Sequence, residues 1–233
     1  MSLEVIHTRK SIDIAIQSVS CSGRYMEIID ISWPISEQMT RYKNKSVIQL
    51  QTIKTFDHDK VRQTSILMDS HTGTHVEAQA HFMHDGITTD KIGLQQYCGR
   101  CSVIDMTFVG DSITDEHLSL VHIEPNSILL FKTTNSELED NAPFDSNYVY
   151  LSESGAAYLS EKQVNAVGID YLGIERSQEA HITHRTLMEN NIVIIEGLRL
   201  RKVHAGNYFF ICLPLAFVGI EAAPARAILF EDF

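Results

Sequence analysis

Apolar and polar positions alternate in the first third of the chain in a way that predicts β-strands. Residues 47–57 alternate apolar with polar side chains and are rich in β-branched residues, and residues 64–68 continue this extended character. We therefore predict two neighbouring antiparallel strands here. An earlier strand is predicted from Glu27 to Trp33, and it ends at Pro34 because proline cannot donate a hydrogen bond to a neighbouring strand.

The remainder of the chain alternates between helical and extended patterns. Helices are predicted over residues 115–120, with Thr114 as the N-cap, and over residues 154–162. Short apolar runs typical of buried strands occupy residues 101–108, 127–132, 166–170, 192–196, 209–215 and 225–230. This order predicts a mixed α/β fold without internal repeats.

Length and charge narrow the class of protein further. The 233 residues fit one large domain, with residues 1–25 as an N-terminal extension and residues 26–233 as the domain itself. A formal net charge of -11 argues against binding to nucleic acid or to an anionic membrane surface. No apolar run approaches the roughly 20 residues that span a bilayer, and no secretory signal is recognisable, so a soluble cytoplasmic protein is expected.

Four scattered cysteines fit a reducing compartment better than a disulfide framework. The pair Cys98 and Cys101 has the spacing of a redox or zinc motif. Because no second pair accompanies it, we interpret both residues as ordinary small apolar side chains.

The strongest chemical signal is a cluster of three histidines and one glutamate between residues 71 and 81. The intervening Thr72, Gly73 and Thr74 disfavour a helix, so an extended segment is predicted. Gly73 would allow a tight turn that brings the first histidine towards the others. Side chains two residues apart in an extended segment point the same way, and the residues aligned in this manner are His75, Glu77, Gln79 and His81.

Imidazole nitrogens and carboxylate oxygens together suit a zinc or manganese ion. The cluster of His71, His75, Glu77 and His81 therefore predicts a metal centre. The alternative is an ordinary turn in which each histidine is satisfied by backbone hydrogen bonds. A single histidine would favour that alternative, whereas the density of the cluster favours a metal.

The motif His71-x-Gly-Thr-His-x-Glu-x-x-x-His81 resembles that of the cyclase family of metal-dependent hydrolases, which includes bacterial kynurenine formamidase. The resemblance covers nearly everything after residue 26. Its further segments are Asp30-Ile-Ser-Trp-Pro34, Val167-Gly-Ile-Asp170, His184, Ile194-Ile-Glu-Gly-Leu198, Pro214-Leu215 and Ala223-Pro-Ala-Arg226.

The resemblance implies a swivelling β/β/α-type domain with a mixed, partly barrel-like sheet. It also implies that His71, His75 and Glu77 hold one metal and that Glu77, His184 and Glu196 hold a second beside it. His81 would then shuttle protons. His184 is preferred to His181 because the separation of His184 from Glu196 along the sequence matches that in the family. Glu77 stands where the family usually has aspartate, so one or two ions remain possible.

The activity implied is hydrolysis of an amide or cyclic amide by metal-activated water, as in an arylformamidase. Lactone hydrolysis, a cyclase reaction and a non-catalytic metal-binding or sensor role are the alternatives. Tyr42 and Lys43 lie where relatives contact their substrate, and they are candidates to bind a substrate carboxylate. Relatives of this type imply a homodimer or homotetramer acting on a small molecule.

Overall fold

The computed structural model describes residues 16–21 and 24–231 of the chain. Part of the predicted extension, residues 1–15 and 22–23, lies outside these described residues. The strands within the described part are β1 (Ile16–Cys21), β2 (Arg24–Asp30), β3 (Ile48–Lys54), β4 (Gln63–Met68), β5 (His75–Glu77), β6 (Cys98–Asp105), β7 (Ser112–Ile113), β8 (Ile128–Lys132), β9 (Tyr150–Leu151), β10 (Ala166–Ile169), β11 (Val193–Glu196), β12 (Gly206–Pro214) and β13 (Ala222–Phe230).

The α-helices are short and belong mainly to the second half of the chain. They are α1 (Phe56–Asp59), α2 (Asp115–Ser119), α3 (Glu153–Glu161) and α4 (Ile182–Glu189). Thr114 caps α2 as the sequence predicts, and its backbone and side chain both bond with His117. With nine residues at most, no helix in the described part is long enough to cross a lipid bilayer.

The main sheet closes on itself around part of its circumference. Its nine strands follow the order β1-β2-β13-β12-β6-β8-β10-β11-β5, and β5 also pairs with β13, which closes a ring of seven strands. The strands β6, β8, β10 and β11 are parallel, whereas the pairings of β5, β12 and β13 are antiparallel. The predicted mixed α/β fold with a partly barrel-like sheet is confirmed.

Alternation along the parallel strands divides the core into two layers. In β8, Ile128 and Leu130 join a cluster built from strands all around the ring, whereas Leu129 and Phe131 join a cluster shared with α2, α3 and α4. Successive side chains of a strand point to opposite faces, so each buried strand serves both the ring interior and the helical layer. This explains why these strands appear in the sequence as continuous apolar runs.

A third, aromatic cluster lies beside the ring and contains Trp33, Tyr148 and Tyr171. The indole of Trp33 donates to the carbonyl of Asp140, and the guanidinium of Arg199 stacks 4.4 Å from the Trp33 ring centre. The predicted antiparallel strands of residues 47–68 are present as β3 and β4, which form a separate two-stranded sheet. Ile48, at the start of β3, packs in the aromatic cluster.

The two cysteines of the redox-like pair do not converge. Cys98 and Cys101 both belong to β6, and their odd spacing turns the side chains to opposite faces of the strand. Burial raises the pKa of Cys101 to about 12, so its thiol stays protonated at neutral pH. Neither feature suits thiol redox chemistry.

Candidate metal centre

Strand β5 places the first acidic and basic side chains of the centre. It lies between β11 and β13, with His75 opposite Glu196 and Glu77 opposite Ile194. His75 and Glu77 share one face of the strand, and Val76 between them is fully buried in the ring interior. The predicted extended conformation therefore brings this imidazole and this carboxylate together.

The chain leaves the extended conformation after Ala78, and the predicted alignment of Gln79 with His81 is wrong. The Ala78 N–H still donates to the Glu221 carbonyl, but residues 79–81 form a 3₁₀ turn in which the His81 N–H donates to the Ala78 carbonyl. The Gln79 amide donates to the Met188 carbonyl instead of facing the centre. The turn directs the His81 side chain back towards the centre, where its Nε2 lies 3.7 Å from Glu77 Oε1.

Gly73 supplies the turn that the sequence predicts for it. Its φ of 64° is the left-handed conformation that glycine tolerates best, and its carbonyl lies 2.9 Å from His75 Nδ1. This contact assigns the His75 proton to Nδ1 and leaves Nε2 directed into the centre. His71, on the other side of the turn, has its Nδ1 3.0 Å from Glu77 Oε1 and 3.2 Å from His75 Nε2.

Two residues arrive from far downstream in the chain. His184 lies on α4, and its Nε2 is 3.2 Å from Glu77 Oε2 and 3.4 Å from Glu196 Oε1. Glu196 ends β11, and its Oε2 lies 3.5 Å from His75 Nε2. The backbone N–H of Ile174 donates to Glu196 Oε1 over 2.6 Å and fixes this carboxylate. The six residues that the sequence singled out thus meet at one place.

The centre is buried on one side and open on the other. His75, Glu77, Glu196 and His184 are buried, whereas the side chains of His71 and His81 are 28% and 29% exposed. Access from solvent therefore runs past the two exposed imidazoles.

Charge pairing dominates the electrostatics of the buried groups. Burial by itself would lower the pKa of His75, but hydrogen bonds to Glu196 and Glu77 outweigh it and raise the pKa to about 10. Burial opposes charge on His184 too, yet Glu77 and Glu175 hold its pKa well above the ordinary value. The same pairs overcome burial and keep the pKa of Glu77 low.

His81 behaves differently from the other imidazoles. Burial is the main cause that lowers its pKa, and the nearby Glu77 only partly opposes the effect. Its ring centre lies 4.4 Å from that of His71, at an interplanar angle of 42°, and 4.0 Å from that of Phe82, which it meets edge to face. A neutral imidazole held in this way can accept a proton at physiological pH.

Two carboxylates that the sequence analysis did not identify support the histidines from behind. Glu175 Oε2 lies 3.0 Å from His184 Nδ1, and Glu221 Oε1 lies 3.3 Å from His71 Nε2 while accepting a 2.6 Å hydrogen bond from the Ser70 hydroxyl. No spacing motif links these acids to the histidine cluster. Their positions follow from long-range pairing alone.

The residues present fit a divalent cation. Among the described residues, Glu77 Oε2 is buried and has no hydrogen-bond partner. A bound cation would supply the partner that this oxygen lacks. Three groups of ligand atoms each lie within 4.8 Å of one another. They are His71, Glu77 and His81; His75, Glu77 and Glu196; and Glu175, His181 and His184.

Glu77 belongs to two of these groups, and its two oxygens face different imidazoles. Oε1 faces His71, whereas Oε2 faces His184. These groupings differ from the two ligand sets that the family resemblance implies. His181, which the sequence analysis set aside, contacts Glu175, and its side chain is 58% exposed.

Tyr42 and Lys43, the predicted substrate contacts, lie in a 3₁₀ turn near the aromatic cluster. The Tyr42 ring packs 5.1 Å from that of Phe144. Its Cε2 would lie 3.3 Å from a Cβ added at Gly173, the residue before Ile174, whose N–H donates to Glu196. Lys43 extends its ammonium 5.0 Å from the centre of the Tyr42 ring. The structure therefore places Tyr42 beside the wall of the centre and Lys43 at the surface.

Comparison with known proteins gives consistent matches. The model of the Cyclase family, described as "Putative cyclase", matches residues 29–176. Kynurenine formamidase of Salinibacter ruber is 30% identical over 88% of this chain and 97% of its own length. Cyclase-like protein 3 of Arabidopsis thaliana is 39% identical over 69% of this chain, and the match spans 62% of the plant protein.

A solved structure resembles the whole described fold. The "predicted metal-dependent hydrolase" from Bacillus stearothermophilus superimposes with a TM-score of 0.80 at 42% sequence identity, covering 89% of this chain and 99% of its own.

Proposed function

The chain belongs to the cyclase family of metal-dependent hydrolases, and from this premise we propose that it hydrolyses an amide or cyclic-amide bond at the centre around Glu77. The observation that carries the proposal is that five candidate ligands, four of them buried, converge on one centre. The centre is open to solvent on one side, and His81 lies beside it. A structural metal site is usually closed by protein ligands, whereas a catalytic one keeps a position for water.

His71, His75 and Glu77, together with His184 and Glu196, would hold one or two divalent ions. Imidazole and carboxylate ligands suit zinc or manganese. When bound, such an ion supplies a Lewis acid that polarises the scissile carbonyl and increases the acidity of water.

His81 carries the proton transfers in this proposal. Its Nε2 accepts the proton of the attacking water and later delivers it to the leaving nitrogen. The ring contacts with His71 and Phe82 hold the imidazole with Nε2 directed towards the centre. Burial keeps the ring neutral and ready to accept the first proton.

An aromatic substrate is supported by the rings near the centre. Tyr42, Phe144 and Tyr148 form contacting pairs, and the Tyr148 hydroxyl donates to the carbonyl of Glu175. A planar group could stack on Tyr42, and the Lys43 ammonium could pair with a carboxylate of the substrate. The kynurenine formamidase relative is consistent with an aromatic formamide.

The substrate class is tested by a panel that keeps the reacting carbonyl and varies the bond. Aromatic formamides, cyclic amides and lactones would be assayed with the metal-loaded protein, with the chelated protein as control. We expect turnover of one of the two amide classes and its loss on chelation. Faster turnover of lactones would replace the proposal with esterase chemistry, and full metal loading without turnover would favour a binding role.

A further inference from the structure

Two tyrosines meet at Gly173, beside the segment that holds Glu196. A Cβ added at Gly173 would lie 2.7 Å from the Tyr148 hydroxyl oxygen and 3.3 Å from Tyr42 Cε2. Both rings therefore use the space that the missing side chain leaves. Tyr148 is 3% exposed, whereas Tyr42 is 36% exposed. The pair connects the buried interior with the surface beside the centre.

The single proton of the Tyr148 hydroxyl is already used in a hydrogen bond. It is donated to the backbone carbonyl of Glu175, and a carbonyl oxygen can only accept. Burial is the main cause that raises the pKa of Tyr148 far above the ordinary value, with smaller contributions from Tyr42 and Glu196. The phenol therefore stays protonated at physiological pH, and its oxygen is left only as an acceptor for other groups.

This arrangement fixes the direction of the next hydrogen bond. The Tyr42 side chain is hydrogen-bonded to Tyr148, and its hydroxyl is the only polar group that it can use. Because the Tyr148 oxygen can only accept, the Tyr42 hydroxyl must donate. The Tyr42 oxygen then has lone pairs, and no free proton, to offer to a molecule bound at the centre.

The ring of Phe144 holds both tyrosines in place. Its centre lies 5.1 Å from that of the Tyr42 ring and 5.8 Å from that of the Tyr148 ring, edge to face in both cases. A hydroxyl on a ring fixed in this way presents its lone pairs in a constant direction. Little ordering is then needed when a substrate binds, so more of the hydrogen-bond energy is available for recognition.

We propose that the Tyr42 oxygen accepts a hydrogen bond from the N–H of the substrate amide, and that Tyr148 is the positioning residue that sets this polarity. The inference rests on the proposed amide hydrolysis and narrows its substrates to amides with a free N–H, such as N-aryl formamides and cyclic secondary amides. A lactone would place an oxygen atom against the Tyr42 lone pairs. That oxygen makes no hydrogen bond there and leaves the acceptor unsatisfied.

A held N–H would also assist the leaving step. As water attacks the carbonyl, the amide nitrogen loses its conjugation and gains a lone pair, which takes a proton from His81 in the proposed function. An N–H bond held by Tyr42 limits rotation of this nitrogen and keeps the lone pair available. The contact should therefore affect kcat as well as KM.

The test uses two probes of almost identical shape, the aromatic cyclic amide oxindole and the lactone benzofuran-2-one, in which an oxygen replaces the N–H. Their kcat/KM values would be measured with the metal-loaded protein. Tyr42→Phe removes the acceptor, so the ratio of the oxindole value to the lactone value should fall about 10-fold or more. The matched control is Tyr158→Phe, the same change in a side chain that packs on the helical cluster, and it should leave the ratio unchanged.

Tyr148→Phe tests the polarity itself. It leaves the Tyr42 hydroxyl in place but frees its proton, which is then available to the ring oxygen of the lactone. The lactone kcat/KM should therefore rise about 5-fold or more above that of the wild type. A substitution that only loosened the fold would lower the values for both probes. Metal content and urea unfolding would show that the variant is folded, and if it is not, Tyr42→Phe decides alone.

Binding of oxindole separates this inference from the proposed function. Its dissociation constant, measured by calorimetry with the metal-loaded protein, should be about 10-fold higher for Tyr42→Phe than for the wild type, even if the ring is not opened. That difference without turnover would reject amide hydrolysis and support the hydrogen bond.

Three results would overturn the inference. One is an oxindole-to-lactone ratio that does not change in Tyr42→Phe. Another is a lower kcat/KM for both probes in folded Tyr148→Phe. The third is a wild type that neither binds nor turns over oxindole.

Discussion

Glu175 contacts the edge of the His184 ring that faces away from the metal centre. Glu175 Oε2 is 3.0 Å from His184 Nδ1, on the opposite edge of the imidazole ring from the Nε2 that faces Glu77. The same carboxylate oxygen accepts the backbone N–H of His184 over 3.2 Å. Glu175 therefore fixes the backbone of this histidine and places a negative charge beside Nδ1, which favours the tautomer that leaves Nε2 free for a ligand bond.

Replacing Glu175 by glutamine should weaken metal binding about 10-fold to 100-fold, the range found when a supporting carboxylate of a ligating histidine is removed. The fold should persist, since the amide keeps the volume of the side chain. Competition with a chromophoric chelator would measure the affinity. Glu179→Gln, an exposed change in the same segment, is the control. Equal affinity in the two variants would mean that Glu175 does not support a metal ligand.

Removing His81 should separate catalysis from metal binding. His81→Ala should lower kcat by about 10²-fold to 10⁴-fold, the usual contribution of a general acid or base, while the metal content stays unchanged. His71→Ala should instead lose metal, because His71 Nδ1 faces Glu77 over 3.0 Å. Metal analysis and steady-state rates would be compared with His84→Ala, whose side chain is 95% exposed. Full activity of His81→Ala would disprove its proton-transfer role.

Much of this arrangement could be predicted because the signals are local. The odd and even positions of residues 47–68 specify two strands, and the density of imidazoles between His71 and His81 specifies a centre. The downstream ligands His184 and Glu196 were predicted from the family resemblance, because no local motif around either residue indicates a metal ligand.

The supporting acids could not be predicted in the same way. Glu175 and Glu221 reach the histidines only because α4 and β13 pack against β5 and its turn. The conformation of residues 79–81 was also missed. The strand of three residues is followed by a turn closed by the bond from the His81 N–H to the Ala78 carbonyl, and the local alternation of side chains does not indicate that turn.

The two oxygens of Glu77 predict a bridging role. Because Oε1 faces His71 and Oε2 faces His184 over 3.2 Å, we expect two ions per chain at saturation. Glu77→Gln should reduce the stoichiometry to at most one, since an amide offers one acceptor oxygen and no charge. Equilibrium dialysis with elemental analysis would count the ions, with the exposed Glu161→Gln as control. A single ion in the wild type would contradict the bridge.

Metal binding should release protons. In the metal-free protein His75 has a pKa of about 10, so it is protonated at neutral pH, whereas a metal ligand must be the neutral imidazole. The affinity should therefore rise with pH up to about 10, and at pH about 7 at least one proton should leave for each chain that binds metal. Calorimetry in buffers of different ionisation enthalpy would count these protons. Binding heats that do not depend on the buffer would show that His75 is already neutral.

Gly197 should be the least replaceable glycine near the centre. Its φ is +72°, and a Cβ there would lie 2.3 Å from the carbonyl oxygen of Gly73, the group that orients His75. Gly197→Ala should destabilise the fold by more than about 2 kcal/mol, since backbone strain and a backbone clash add. Gly219→Ala separates the two effects, because its φ is +78° with nothing within 4 Å of the added Cβ. It should cost only the strain, about 1 to 2 kcal/mol, as measured by urea unfolding. An equal decrease in the free energy of unfolding of the two variants would show that the close approach of Gly197 to the Gly73 backbone does not add to the cost.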